Sequence, residues 1–175
     1  MKTVTTTTNV YNFSELNNTA KEVAILNHRD INIEENWWQY VYDDAENIGL
    51  KLTIFDIYGY CEGKFMDSPE FTAEKTMLEH GQHCETYKTA ANFLADKAKL
   101  VAKHSDGIKI DIVAEGNEDI FDDECNDLEF EFKKSILEDY STMLQKEYEY
   151  LTSDESITET ILANEYEFTE DGKRF

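Results

Sequence analysis

Two imidazoles and a thiol fall within a single run, His80-Gly81-Gln82-His83-Cys84. Neutral imidazole and thiolate are good zinc ligands, and a structural zinc site takes four such groups in a tetrahedral array. No second ligand pair stands at finger spacing from this run, and its glycine suits the end of a helix. A helix-to-helix loop therefore accounts for it, and the sequence predicts neither a bound metal nor a cofactor. Cys84 with His80 or His83 supplies the elements of a nucleophile and its base, but nothing marks a third group to orient them. Asp119, Asp122, Asp123 and Glu124 crowd carboxylates as a Ca²⁺ or Mg²⁺ site does, without the loop glycine and alternation of an EF-hand. The glycine-rich signatures of phosphate-binding loops, dinucleotide folds and nucleophile elbows are absent. The expectation is a protein that is not an enzyme.

Charge is the dominant pattern. The chain carries 38 acidic against 16 basic side chains, a formal net charge of −22. Such a field repels nucleic acid, anionic lipid and free nucleotides and attracts cations and basic protein surfaces. It is also uneven. Positions 115–171 hold 20 acidic and three basic residues, a balance of −17 in about one third of the chain. On a helix, the nine carboxylates of positions 115–131 fall at about one per 2.8 Å. Duplex DNA carries about one charge per 1.7 Å. A DNA-mimic reading follows, in which Glu118, Asp119, Asp122, Asp123, Asp127 and Glu131 stand where a basic partner expects phosphates. The alternative is a solvated helix face whose charge serves solubility. Like charges four apart, such as Asp123 and Asp127, cost an isolated helix a few tenths of a kcal/mol each. That cost weighs modestly against solvation as the whole account. In Asn36-Trp37-Trp38-Gln39-Tyr40-Val41-Tyr42, four aromatic rings go right round a helix, so some are core and Trp38 and Tyr42 are candidates for an aromatic interface.

The elements that must position these residues follow from periodicity. At 41% hydrophobic and 13% aromatic, the chain is too apolar for a disordered acidic tail, and 175 residues suit a single domain, 1–175. Lys2 to Val10 is β-branched and predicts a strand. Ser14 is placed as the N-cap of a helix reaching Asp30, and a second helix spans Glu34 to Ile48, closed by Gly49. Leu50 to Ile57 and Tyr60 to Met66 alternate as a hairpin. Ser68, Pro69 and Gly81 mark the start and stop of a third helix. A fourth follows with Tyr87, Ala91, Leu94, Ala98 and Val101 on its apolar face. Asp106-Gly107 turns the chain, and Ile108, Ile110 and Ile112 alternate like a short strand. Phe121, Cys125, Leu128, Phe132, Ile136, Tyr140 and Met143 form one stripe on an unbroken helix from Glu118 to Leu151. Thr152 to Glu155 has a capping-box pattern that opens another helix, and Tyr166 to Phe175 closes the chain as a strand with an Asp171-Gly172 turn. The expected class is α+β: a small antiparallel sheet of three to five strands packed by several helices, with a long acidic C-terminal helix.

Three cysteines without a paired spacing, an N-terminus with no apolar signal region and no run of about 18 apolar residues predict reduced thiols in a cytosol and no membrane. Stretches such as Tyr11 to Ile25, Trp37 to Ile57, Glu79 to Leu94 and Ala163 to Phe175 resemble small acidic bacteriophage-encoded proteins described as hypothetical or as the antitoxin of a toxin–antitoxin stability system. The resemblance covers most of the chain and is weakest after Gly107. Its motifs are fold-like, so it transfers no functional residue. It implies a phage product in the host bacterial cytoplasm that inhibits a host protein. Together with the charge, it points to a non-enzymatic inhibitor of a defence protein or toxin with a basic surface. Direct nucleic-acid binding is not expected, and a homodimer is left open. The alternatives are a small-molecule module, acting as a sponge for a nucleotide signal or an enzyme on it, and an acidic structural or regulatory protein without mimicry.

Overall fold

The computed structural model of the chain describes the backbone of residues 1–4, 7–108 and 117–175, and their side chains except at 105–108 and 117–119. Six helices and two small antiparallel strand pairs are formed among these residues. They divide into two compact units, one made of residues 1–37 and 146–175, the other of 38–145.

The first unit joins the two ends of the chain. Tyr11–Asn12 (β1) pairs with Glu167–Phe168 (β4). A single 3₁₀ turn, Phe13–Glu15, leads into α1, Asn18–Asn27, whose N-cap is Asn17; its side chain accepts from the Ala20 N–H at 3.0 Å. The predicted cap, Ser14, lies instead inside the 3₁₀ turn, which Asn12 and Glu15 close as a capping box. Helix α6, Asp154–Ala163, is capped by Ser153. Thr152, the predicted cap, instead donates its hydroxyl to the Tyr148 carbonyl. Phe13, Leu16, Ala20, Ala24, Ile157, Ile161 and Phe168 form the core. The left-handed Gly172 packs against α1 so closely that a Cβ there would lie 2.1 Å from the Ala20 carbonyl oxygen.

The second unit contains α2 (Gln39–Asn47), β2 (Leu50–Phe55), β3 (Cys61–Phe65), α3 (Pro69–Glu79), α4 (Glu85–Ile108) and most of α5 (Asn117–Leu151). Val41, Ala45 and Ile48 are buried, at the four- and three-residue steps of a helix face, and Gly49 closes α2 at φ 87°. The helix starts later than Glu34, because Trp38 occupies the N-cap without a side-chain cap. The hairpin forms at the expected place, with a bulge between Leu52 and Ile54. Ser68 caps α3 with Pro69 in its first turn. Gly81 follows the C-cap His80 but is not among the left-handed glycines; His80 itself leaves the helix in extended conformation.

Four further expectations fail. Among the described residues of 2–10 there is no strand: these residues are exposed, and β propensity without a partner ladder does not make one. Without that strand no single sheet of three to five strands assembles; each unit has its own two-stranded pair. Helix α4 continues through Asp106-Gly107 to Ile108, so the turn does not form there, and Ile110 and Ile112 lie outside the described residues. The buried face of α4 is also rotated from the predicted one. Thr86, Ala90 and Phe93 are buried, while Ala98 and Val101 are exposed.

Candidate functional site

Helix α5 places its carboxylates by azimuth. At about 100° per residue, the side that carries Phe132 and Ile136 into the core faces α4. Phe132 stacks on Phe93 of α4 at 4.3 Å between centroids and on Phe65 of β3 at 5.5 Å. Flanking that apolar seam, acidic residues of α5 meet polar groups of α4. Lys103 Nζ lies 2.7 Å from Glu124 Oε1, and His104 Nε2 lies 2.8 Å from Glu124 Oε2. Lys103 first, then His104, holds the Glu124 carboxyl below the usual carboxylate range. Lys97, half-buried, reaches Glu129 at 2.7 Å and also pairs with Glu70 of α3. Thr89 donates to Asp139 at 2.7 Å; burial nevertheless pushes the Asp139 carboxyl above its usual value.

Asp123 and Asp127 point the other way, and Asp122 and Glu131 stand on the two flanks of the helix, about 180° apart. All four are exposed, and none makes an ion pair or a side-chain hydrogen bond among the described residues. The same outward side carries two exposed apolar side chains, Ile120 (54%) and Phe130 (64%). Glu131 also lines a groove of about 190 Å³ between α4 and α5, with Asp96, Asn92, Thr89 and the Phe93–Phe132 pair. The side chains of Glu118 and Asp119, the other two predicted members, lie outside the described residues.

This sorting changes the charge density offered to a partner. From Asp122 to Glu131 the axis rises about 13.5 Å, so these four exposed carboxylates average one per about 4.5 Å of axis, in axial steps of about 1.5, 6 and 6 Å. That is sparser than duplex DNA and nearer the 3.4 Å spacing of one strand. Sequence reasoning counted Glu124 and Glu129 with the rest and missed Phe130. Phe130 falls two residues from Leu128 and two from Phe132, off the three-and-four stripe, and that offset is the signal that could have found it.

The other candidates are placed differently. Trp38 and Tyr42 are half-buried, each 6.1 Å from the Phe55 ring, and burial pushes the Tyr42 hydroxyl up. Trp37 is half-buried against Tyr148, and Tyr40 is exposed. His83 and Cys84 are exposed. The His80 ring turns inward, with Nδ1 2.7 Å from Thr86 Oγ1 and Nε2 3.4 Å from Asp44 Oδ2. The Tyr140 hydroxyl donates to the same Asp44 oxygen at 2.8 Å. His80 foremost, with Tyr140 adding and burial opposing, holds the Asp44 carboxyl below its usual value. Among the described residues no three His, Cys, Asp or Glu side chains are grouped to hold a metal ion, and no helix is long and apolar enough to cross a membrane.

The chain matches no known family model, no curated protein and no solved structure.

Proposed function

We propose that this chain is a non-enzymatic inhibitor, a phage product acting in the host bacterial cytoplasm, that docks the outward face of α5 on a basic surface of a host defence protein or toxin. The observation that carries this reading is the division of labour on α5. Glu124 and Glu129 have partners on α4, whereas among the described residues Asp122, Asp123, Asp127 and Glu131 stand exposed without one, near an exposed Phe130. A solvated face has no need of an aromatic ring in its middle; an interface uses one as an anchor, ringed by groups that steer the encounter. The groove beside Glu131 and Asp96 has room for a lysine or arginine side chain of the partner.

The test compares wild type with the D122N/D123N/D127N/E131Q variant as baits in host lysate, then titrates the captured protein at two salt concentrations. The expected result is capture by wild type alone, with affinity that falls as salt rises and a variant defect mainly in association rate. Equal affinity of both proteins, without salt dependence, would overturn the reading and leave the charge as a solubility feature.

A further inference from the structure

The two flanks of the seam between α4 and α5 differ. On one, Lys97 Nζ reaches Glu129 at 2.7 Å and stands 5.8 Å from the centroid of the Phe93 ring. A carboxylate, an apolar wall and an ammonium group meet there. On the other flank the first two parts recur without the third. The groove of about 190 Å³ has Asp96 and Asn92 on its α4 wall, Glu131 and Ser135 on its α5 wall, and Leu128 with the buried Phe93–Phe132 pair as its floor. No basic residue is among those that line it. Where Lys97 stands across from Glu129, Asp96 stands across from Glu131.

The hydrogen-bonding inventory of the groove is one-sided. Ionised Glu131 and Asp96 only accept, and Asn92 and Ser135 add further acceptors. Glu131, Asn92 and Ser135 make no ion pair or side-chain hydrogen bond among the described residues. Asp96 is held by Lys99 at 2.7 Å, but that lysine is 77% exposed, so the pair is weak and readily exchanged. The Thr89 hydroxyl, also in the lining, is already given to Asp139. A ligand suited to these walls is cationic, rich in donors and free of acceptors. The volume lies below the roughly 300 Å³ at which small-molecule pockets begin, so it suits one inserted side chain. Arginine answers this description better than lysine. Its planar fork presents five donors and spans carboxylates on two walls, whereas an ammonium is a compact, strongly hydrated point charge. The arginine stem covers Leu128 and the edge of the phenyl pair while the head stays among the carboxylates.

We propose that the α4–α5 groove is an arginine socket, in which Glu131 and Asp96 clasp a guanidinium presented by the basic partner and Leu128 receives its stem. The inference deepens the docking reading and rests on it for the source of the arginine. The experiment titrates the full chain, observed by NMR, with three peptides: acetyl-Gly-Arg-Gly-amide and its lysine and citrulline counterparts. The expected result is saturable binding of the arginine peptide with Kd of about 5 mM or tighter, moving the Leu128 methyl and Ser135 amide resonances. The lysine peptide should bind at least about threefold more weakly, and the citrulline peptide, which keeps the shape without the charge, should not saturate. Glu131→Gln should weaken the arginine peptide about tenfold. Glu46→Gln removes the same charge from an exposed position of α2 outside the groove and should stay within about twofold. No saturation up to about 50 mM, equal affinity for arginine and lysine, equal loss in both variants, or binding that leaves those two resonances unmoved would overturn the socket. If the peptides fail while wild type still captures a partner in a salt-sensitive way, the socket falls and the docking face stands. If the arginine peptide saturates the groove and no such capture occurs, the docking face falls and the socket stands.

Discussion

Asp122, Asp123 and Asp127 replaced by Asn, with Glu131 replaced by Gln, should leave the protein slightly more stable, and replacing Glu129 alone by Gln should weaken it. The sequence sets like charges four residues apart at four places in this set: Glu118 and Asp122, Asp119 and Asp123, Asp123 and Asp127, and Asp127 and Glu131. Each is worth about 0.2–0.5 kcal/mol in an isolated helix, so relief of all four is at most about 2 kcal/mol. Solvent screening of exposed groups brings this to about 1 kcal/mol. The opposing loss of helix-dipole support is small, since Asp122 is already the sixth residue of α5 and the effect is confined to the first turn. For a chain of this length 1 kcal/mol moves Tm by about 2–4 °C, here upward. Glu129 is the counter-case: its partner Lys97 has a side chain only 19% exposed and sits between two carboxylates, and one remains after the change. A loss of about 1 kcal/mol, hence a fall in Tm of about 2–4 °C, is expected. Thermal melts by far-UV circular dichroism compare the three proteins in one buffer. A fall of several degrees in the fourfold variant would mean these carboxylates hold the fold. Identical melts for Glu129→Gln and wild type would remove the energetic content from the division between the two faces of α5.

Tyr140→Phe keeps the buried ring and deletes the donor to Asp44, whose side chain is 43% exposed and can rehydrate. A cost of about 1–2 kcal/mol should appear as a lower urea midpoint, and an unchanged midpoint would deny the bond any weight. Gly172→Ala combines φ 82° with a Cβ 2.1 Å from the Ala20 carbonyl oxygen, whereas Gly59→Ala has φ 101° and open space. The first should lower Tm far more than the second, which meets backbone strain of about 1 kcal/mol alone; equal effects would refute the close approach. Asp139 has a folded pKa raised above 3.8 by burial. Below the unfolded value both states are protonated and nothing is lost; as pH rises through the folded value, the folded state bears the cost of the charge. Asp139→Asn should therefore raise Tm near pH 7, with a gain that shrinks toward about pH 4, and a gain that grows on acidification would reverse the assignment.

The parts legible in the sequence were those whose information is local. The α5 stripe, the Ser68-Pro69 start and the Gly49 stop each depend on a few neighbouring residues, and the structure follows them. The face of α4 did not read correctly because its buried positions include Thr86 and Ala90, small residues that a hydrophobic pattern underweights against Leu94 and Val101. The same holds for α3, where Thr72, Ala73 and Thr76 are buried. The β-branched run after Met1 misled because a strand exists only by pairing, and propensity does not name a partner. At the acidic face, the count of carboxylates was legible but their sorting was not. Whether Glu124 or Asp123 is neutralised depends on lysines about 20 residues away on another helix.

The polar contacts between α4 and α5 have a consequence for misfolding. Two antiparallel helices held by an apolar seam can slide past each other by one turn and still bury Leu, Ile and Phe, so such a seam distinguishes its alternatives weakly. Here a slip of four residues in one direction would bring Lys97 opposite Lys133 and Lys103 opposite Leu128. In the other direction it would set Lys97 against Cys125 and Lys103 against Ile120. Both salt bridges vanish either way, and a half-buried ammonium loses its α5 partner or meets its like. The pairs Lys97–Glu129 and Lys103–Glu124 thus act as an alignment key, adding little net stability while raising the energy of the wrong states.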